Sequence, residues 1–136
     1  RSEGENMTDR RKRLANLLVV QEKLKAFHEA RHAGYLAEAA AAEKDAAEIA
    51  ARLDDPSSLS SLFPDVYHRR IGQAIAHRDA NAGKATAEAT KVAMATARTN
   101  MVERAYREVM RREEREAGDR ERLEIVERRP SKPAAS

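Results

Sequence analysis

The sequence has no cysteine, no tryptophan and only five aromatic residues among its 136 amino acids. Without cysteine the chain can form neither disulfide bridges nor thiolate metal sites, as is usual for proteins of a reducing compartment. Its first apolar run, residues 17–20, is four residues long. This run is too short for a signal peptide, and no stretch approaches the ~18 residues of a membrane-spanning helix. We therefore expect a cytoplasmic protein with no membrane span.

Large apolar side chains are also scarce, since leucine, isoleucine, valine and phenylalanine together account for 22 of the 136 residues. That share lies below the ~20% found in chains that fold around a thick core. The 26 basic and 23 acidic residues nearly balance, at a net charge of +3, so charge repulsion does not force disorder. The abundant alanine, glutamate, arginine and lysine are strong helix formers. The composition therefore predicts an all-α protein whose long helices bury a narrow seam.

Proline, which interrupts helices, occurs at only four positions: Pro56, Pro64, Pro130 and Pro133. The predicted elements are a first helix at about 9–53 with Thr8 or Asp9 as N-cap, a corner at 54–64, a second helix at about 65–129 and a disordered tail at 130–136. Residues 1–6 precede Met7 and are expected to be the remnant of an expression tag. Because the corner is short, we expect an antiparallel coiled-coil hairpin, in which roughly twenty residues, 107–129, extend beyond the first helix.

Residues spaced by three or four positions predict which face of each helix is buried. On the first helix the predicted stripe is Leu14, Leu17, Gln21, Leu24, His28, His32, Tyr35, Ala39, Ala42, Ala46, Ile49 and Leu53. On the second helix it is Ile71, Ile75, Arg78, Ala82, Ala85, Ala89, Val92, Thr96, Thr99, Val102, Tyr106 and Val109. Two consecutive steps of four around His28 predict a stutter that locally relaxes the supercoil. The antiparallel register places Tyr35 near Ala85 and predicts the closest approach of the helices at Gly34 and Gly83.

Residues 28–32, His-Glu-Ala-Arg-His, match the H-E-x-x-H signature of helical zinc proteases, whose two histidines bind the metal from one helix face. Glu38 follows His32 by six residues, where some of these enzymes carry a third ligand. In an uninterrupted helix, however, Glu38 lies about 120° around and about 9 Å along the axis from His32, so it cannot complete a metal site. We therefore expect His28 and His32 to lie in the seam, and a non-enzymatic protein without metal or other cofactor.

Two further clusters are candidates for binding a partner. The basic run from Arg10 to Arg13 stands at a helix N-terminus, where the helix dipole disfavours positive charge. It suits an acidic protein surface, nucleic acid phosphates or an anionic membrane, but no aromatic stacking platform accompanies it; a solvated cluster is the alternative. The corner carries five large apolar residues, Leu59, Leu62, Phe63, Val66 and Tyr67. They either cap the helix ends or form a docking patch.

The segment RRKRLANLLVVQEKLKAFHEARHAGYLAEA, the central corner and the segment ERAYREVMRREEREAGDRERLEIVERR together resemble the FliJ/YscO family of flagellar and injectisome type III protein export systems. The resemblance lies in periodicity, length and charge pattern over most of residues 7–129. It implies a non-enzymatic stalk, similar to the gamma subunit of rotary ATPases, whose paired helix ends enter the pore of the hexameric export ATPase. It also implies contacts with the export gate and with export chaperones, in the cytoplasm beside the membrane-embedded export apparatus.

In this interpretation charged side chains at the paired ends bind the ATPase ring, and the five apolar corner residues bind the gate or a chaperone. The expected ring-binding residues are Arg10, Arg11, Arg13, Arg107, Arg111, Arg112 and Arg115. We expect a monomer that binds no nucleic acid. The alternative functions are a structural coiled coil that associates with a second copy, as a dimer, and a helical protein that binds nucleic acid.

Overall fold

The computed structural model describes residues 6–129, which form an all-α hairpin of two long antiparallel helices, as predicted. Helix α1 spans Met7–Asp54 and helix α2 spans Pro64–Arg128, with a 3-10 helix at Leu59–Ser61 in the corner between them. The predictions for residues 1–5 and for the tail at 130–136 fall outside the described residues. Along the described part of the chain, neither helix has an apolar stretch long enough to cross a membrane.

Helix α1 begins two residues earlier than predicted because Asn6, rather than Thr8 or Asp9, is its N-cap. The Asn6 side chain accepts a hydrogen bond from the Asp9 N–H at 2.8 Å, and the Asn6 carbonyl accepts one from the Arg10 N–H at 3.1 Å. The first of these bonds satisfies an amide group that the first turn of a helix otherwise leaves without a partner. The prediction was wrong because Asn6 belongs to the stretch attributed to an expression tag.

The hairpin divides into two compact units. The corner unit, Glu22–Ala97, comprises the second part of α1, the corner and the first part of α2. The terminal unit comprises residues 6–21 and 98–129. Each unit has its own buried side chains and its own exposed clusters.

The core of the corner unit is narrow and consists largely of small side chains. Ala42 and Ala85 are buried there, together with Ile49. Small residues on both helices permit close axes. The Lys84 ammonium lies 5.7 Å from the centre of the Tyr35 ring, which agrees with the predicted register. Such a seam buries few large side chains, so much of the apolar surface of these helices remains exposed.

The seam positions of α1 follow an unbroken seven-residue repeat, and the predicted stutter is wrong. In the corner unit Lys25 is half-buried, whereas Leu24, the predicted seam residue, is 42% exposed. In the terminal unit Leu18 is half-buried and Leu17 is 40% exposed. Both errors have the same cause, because the repeat decides which of two neighbouring residues faces the partner helix. The lysine is tolerated there because its alkyl stem can pack while its ammonium group reaches water.

On α2 the seam contains polar side chains that the prediction placed outside it. Asn81 is only 5% exposed and Glu88 only 2%. The alanines that follow them, Ala82 and Ala89, were the predicted seam residues and are exposed. The same shift by one residue leaves Ile75 37% exposed. Choosing the more apolar of two neighbours is therefore misleading along this helix.

In the terminal unit the seam contains Leu14, Thr99 and Val109, of which Val109 is the most deeply buried. Contacts reach farther along α2 than predicted, since the Arg11 Nε lies 3.1 Å from a carboxylate oxygen of Glu113. The part of α2 that extends beyond α1 therefore starts after Glu113 and not at residue 107. From there to the end of the helix nearly every residue is exposed.

The glycines do not mark a close approach of the helices, contrary to the prediction for Gly34 and Gly83. Both are exposed, and a β-carbon built at either position meets no atom within 4 Å. They face solvent because the repeat places the neighbouring Tyr35 and the nearby Ala85 in the seam instead.

Candidate interaction surfaces

One buried carboxylate joins the two helices of the corner unit. The Glu88 side chain is only 3% exposed, and it accepts hydrogen bonds from the Arg31 Nε at 2.9 Å and from the His28 Nδ1 at 2.8 Å. The Lys91 ammonium lies 3.6 Å away. The hydrogen bond from Arg31, supported by the one from His28 and by the Lys91 charge, lowers the pKa of Glu88 from an ordinary 4.5 to about 2, although burial alone would raise it. Glu88 is therefore ionised at neutral pH.

The two histidines of the H-E-x-x-H match lie in the seam, as predicted. His28 contacts Glu88 and His32 is half-buried. Glu38 does not approach His32; one of its carboxylate oxygens lies 3.5 Å from the His77 Nε2 on α2. Among the described residues, no three histidine, aspartate or glutamate side chains are grouped as a metal ion requires. The observed role of the motif is contact between the helices.

The corner unit also has an open groove of about 390 Å³ between its helices. Alanines supply much of its lining, and the polar part comes from Glu38, Asp45, Arg70, Gln73 and His77. Two carboxylates and one guanidinium group stand together in this groove. The groove offers solvated charged contacts, and it lacks the enclosed apolar walls typical of a pocket for a small ligand.

The corner is organised by serine hydroxyl groups on its inner side. The Ser58 hydroxyl lies within hydrogen-bonding distance of the Arg52 and Asp55 carbonyl oxygens, and its oxygen accepts a bond from the Ser60 N–H. Ser60, which is 3% exposed, donates its own hydroxyl to the Leu53 carbonyl at 3.2 Å. These bonds satisfy carbonyl groups at the end of α1 that have no partner within the helix. The backbone of the corner is thereby fixed without an apolar core.

The large apolar side chains of the corner are exposed to solvent. Leu59, Leu62, Phe63 and Val66 are 44–68% exposed, whereas Tyr67, the fifth member of the predicted cluster, is half-buried. A local cap over the helix ends would bury these side chains. Their exposure is instead what a docking patch requires, and only Tyr67 is placed less accessibly than that interpretation expects.

In the terminal unit three of the predicted ring-binding arginines gather around one carboxylate. Arg111, Arg112 and Arg115 approach Glu108 to 3.0, 3.4 and 4.0 Å. The hydrogen bond from Arg111, with the charges of all three arginines, lowers the pKa of Glu108. One negative charge cannot neutralise three guanidinium groups, so the cluster keeps an excess of positive charge.

The other predicted ring-binding residues are not part of this cluster. Arg107 pairs with the glutamate one turn before it, at 2.7 Å. Arg11 lies in the seam against Glu113, and Arg10 and Arg13 are exposed on the same part of α1. The seven arginines therefore do not form one continuous surface.

Glu88 and its partners were not predicted as a functional group. The signal that identifies Glu88 is the seven-residue repeat, because Glu88 lies seven residues after Asn81 and seven before Ala95, both of which are buried. Its ligands could not be found in this way, because Arg31 and His28 are 57 and 60 residues distant in sequence.

No protein-family model, no curated protein and no solved structure matches this chain. The family resemblance and the structure agree at the level of a two-helix antiparallel hairpin. Any more specific function has to be argued from the surfaces described above.

Proposed function

We propose that this chain is a non-enzymatic stalk and adaptor of a type III export ATPase, as its resemblance to the FliJ/YscO family implies. In this function the terminal unit contacts the ATPase ring, and the corner contacts the export gate or an export chaperone. The observation that carries the proposal is that each unit carries a surface of a different chemical kind. An arginine cluster lies in the terminal unit, and an exposed apolar patch lies in the corner unit.

The arginine cluster suits a partner that changes its position during a catalytic cycle. Exposed ion pairs are individually weak and are screened by salt, so that they can be exchanged at little cost as a ring moves around a shaft. The Arg112 and Arg115 side chains are 51% and 68% exposed, which leaves their guanidinium groups accessible to such a partner.

The corner suits a partner that is held more tightly. Burial of a leucine or phenylalanine side chain contributes roughly 1.5–3 kcal/mol, and Leu59, Leu62 and Phe63 are all more than half exposed. The serine bonds around Ser58 and Ser60 hold this part of the backbone in place before binding, which reduces the entropy lost on association.

Binding of the cognate export ATPase to the full chain tests the proposal. Replacing Arg107, Arg111, Arg112 and Arg115 by glutamate should abolish ATPase binding, with an effect that depends on salt, and should leave binding of the corner partner intact. Phe63→Ala should have the converse effect with little dependence on salt. Lys44→Glu is the matched control, because the Lys44 side chain is 79% exposed and lies outside both surfaces. If the unmodified chain does not bind the ATPase, the stalk function is wrong.

Self-association into a structural coiled coil is the second candidate, and one observation favours it. In the corner unit Leu24, Phe27 and Met94 are 42–53% exposed, and a second copy could cover them. Sedimentation equilibrium separates the two functions. A monomer over the whole concentration range supports the adaptor, whereas a dimer that Phe27→Ser dissociates supports self-association.

A further inference from the structure

We infer that the terminal unit binds an acidic amphipathic helix of its partner along one side of the hairpin, here called the arginine flank. The flank is defined by four arginines, Arg10, Arg13, Arg112 and Arg115. The inference rests on the proposed function, because it specifies the surface that the partner of the terminal unit presents to these arginines. It also divides the predicted ring-binding arginines into four that lie on this flank and three that lie elsewhere.

Helix geometry places the four arginines on one side of the seam. Arg10 directly precedes Arg11, and Arg112 directly precedes Glu113, and the Arg11 and Glu113 side chains meet in the seam at 3.1 Å. When two seam residues of antiparallel helices face each other, the residues that directly precede them on the two helices lie on the same side of the seam. The other two arginines follow by three residues on each helix, which is close to one turn and keeps them on that side.

The arginine flank has an excess of positive charge that the opposite side of the same unit does not have. Between Arg98 and Arg115 its α2 part contains one carboxylate, Glu108, which two of the flank's arginines already contact. The opposite side carries two basic and two acidic residues, so its charges balance. The basic residues are Lys12 and Arg107, and the acidic residues are Glu103 and Glu114. The flank therefore attracts an acidic partner, and the opposite side does not.

An apolar strip continues the arginine flank within the same unit. Leu17 and Val20 on α1 are 40% and 50% exposed, and Met101 on α2 is 66% exposed. Leu17 directly precedes the half-buried Leu18, so by the same geometry it belongs to this side, and Val20 follows Leu17 by three residues. A partner must therefore carry both acidic and apolar side chains, arranged on one face.

A helix meets these requirements better than a membrane or a nucleic acid. Two adjacent helices leave a shallow groove into which the side-chain ridges of a third helix fit. Glu108 lies on the flank and repels lipid or nucleic acid phosphates, whereas one basic residue of a protein helix can pair with it. Tyr106, the aromatic residue of this part of α2, is half-buried, which leaves no exposed ring for stacking a base.

A synthetic helix tests the inference without the export ATPase. The probe is a fluorescent peptide of three heptads with leucine at the seam positions and glutamate beside them, and a scrambled peptide of the same composition is its control. Fluorescence anisotropy with the full chain should show at least about tenfold tighter binding of the amphipathic peptide. Replacing Arg112 and Arg115 by glutamate should weaken this binding by about tenfold or more, and added salt should reduce the difference.

Matched variants distinguish the flank from a general effect of charge. Leu17→Ser should weaken peptide binding several-fold without changing its dependence on salt. Lys12→Glu on the opposite side and Met94→Ser in the corner unit should leave binding unchanged. Circular dichroism should show that all variants keep the helix content of the parent chain.

Several results would overturn the inference. They are equal binding of the scrambled peptide, equal losses from Lys12→Glu and from the two flank replacements, and tighter binding of phosphatidylserine vesicles or duplex DNA than of the amphipathic peptide. Peptide binding without binding of the ATPase overturns the proposed function alone. Binding of the ATPase without binding of the peptide overturns this inference alone.

Discussion

Replacing the helical glycines by alanine should stabilise the hairpin. If the helices met closely at these glycines, the same replacements would destabilise it. Gly34, Gly72, Gly83 and Gly118 all lie inside helices, none has a positive φ, and a β-carbon at each would meet no atom within 4 Å. A glycine inside a helix lowers the free energy of unfolding by about 0.5–1 kcal/mol relative to alanine, because glycine loses more conformational freedom when the chain folds. The four replacements share no contacts, so together they should add about 2–4 kcal/mol to the free energy of unfolding.

Urea denaturation followed by circular dichroism measures this effect. With a slope of about 1–3 kcal/mol per molar urea, each replacement should raise the midpoint by roughly 0.2–1 M. Ala47→Gly at an exposed position is the matched control and should lower the midpoint by a similar amount. Ala85→Gly should lower it further, because Ala85 is 2% exposed and its methyl group packs in the seam. A decrease in stability on Gly83→Ala would refute the reasoning, since it would mean that the helices meet at Gly83.

Two further predictions concern the polar residues of the seam. Asn81→Leu should raise the free energy of unfolding by about 1–2 kcal/mol. The Asn81 side chain is 5% exposed, and among the described residues its amide bonds to the side chain and the carbonyl of the histidine one turn earlier on its own helix, and not to α1. Urea denaturation measures the change, and a loss of stability would contradict the prediction. Glu88→Gln should remove an acid-dependent contribution to stability. The pKa of Glu88 is lowered from 4.5 to about 2, so its stabilising effect is complete above about pH 4.5 and is lost as the pH falls towards 2. The difference in Tm between the parent chain and the variant should therefore narrow over this interval, and a constant difference would contradict the role of the ionised carboxylate.

The two helix ends that flank the corner could be predicted to within one residue because their causes are local. Pro64 is the first residue of α2, a position that suits its fixed φ and missing N–H. Ser58 is the N-cap of the 3-10 helix, a position that serine favours because its side chain can accept a hydrogen bond from a backbone N–H. The inward direction of the Ser60 hydroxyl was not predicted, because it depends on the carbonyl of Leu53, which only the folded corner brings within reach.

The seam could be predicted only in part because its causes are not local. Position in the repeat decides burial, and hydrophobicity follows position poorly in a chain so rich in alanine. Glu88 shows the difficulty most clearly. A carboxylate is rarely buried unless it is paired, so the sequence around Glu88 favours Ala89 for the seam. The pairing that permits its burial comes from Arg31 and His28 on the other helix.

The alanine-rich part of the seam does little to select one register. Ala42 and Ala85 are buried there, but alanine side chains are alike, and a shift of one helix by seven residues would bring similar small residues together. Apolar packing alone therefore leaves several registers close in free energy. Polar seam residues separate such registers, since they need specific partners, as buried asparagine does in other coiled coils.

Glu88 supplies this selection in the corner unit. A shift of α1 by one repeat in one direction would replace its present partners by Leu24 and Gln21, and a shift in the other direction would replace them by Glu38 and Tyr35. Neither set contains a cation, so the buried carboxylate would lose both ligands from α1 while remaining in the seam. It would keep only the Lys91 ammonium of its own helix, at 3.6 Å. A buried charge that loses its hydrogen-bond donors is unfavourable, even where the pair itself adds little net stability. We therefore attribute the single register of the corner unit to this carboxylate. The same register fixes which ends of the two helices are paired beside the corner, from which the apolar side chains project.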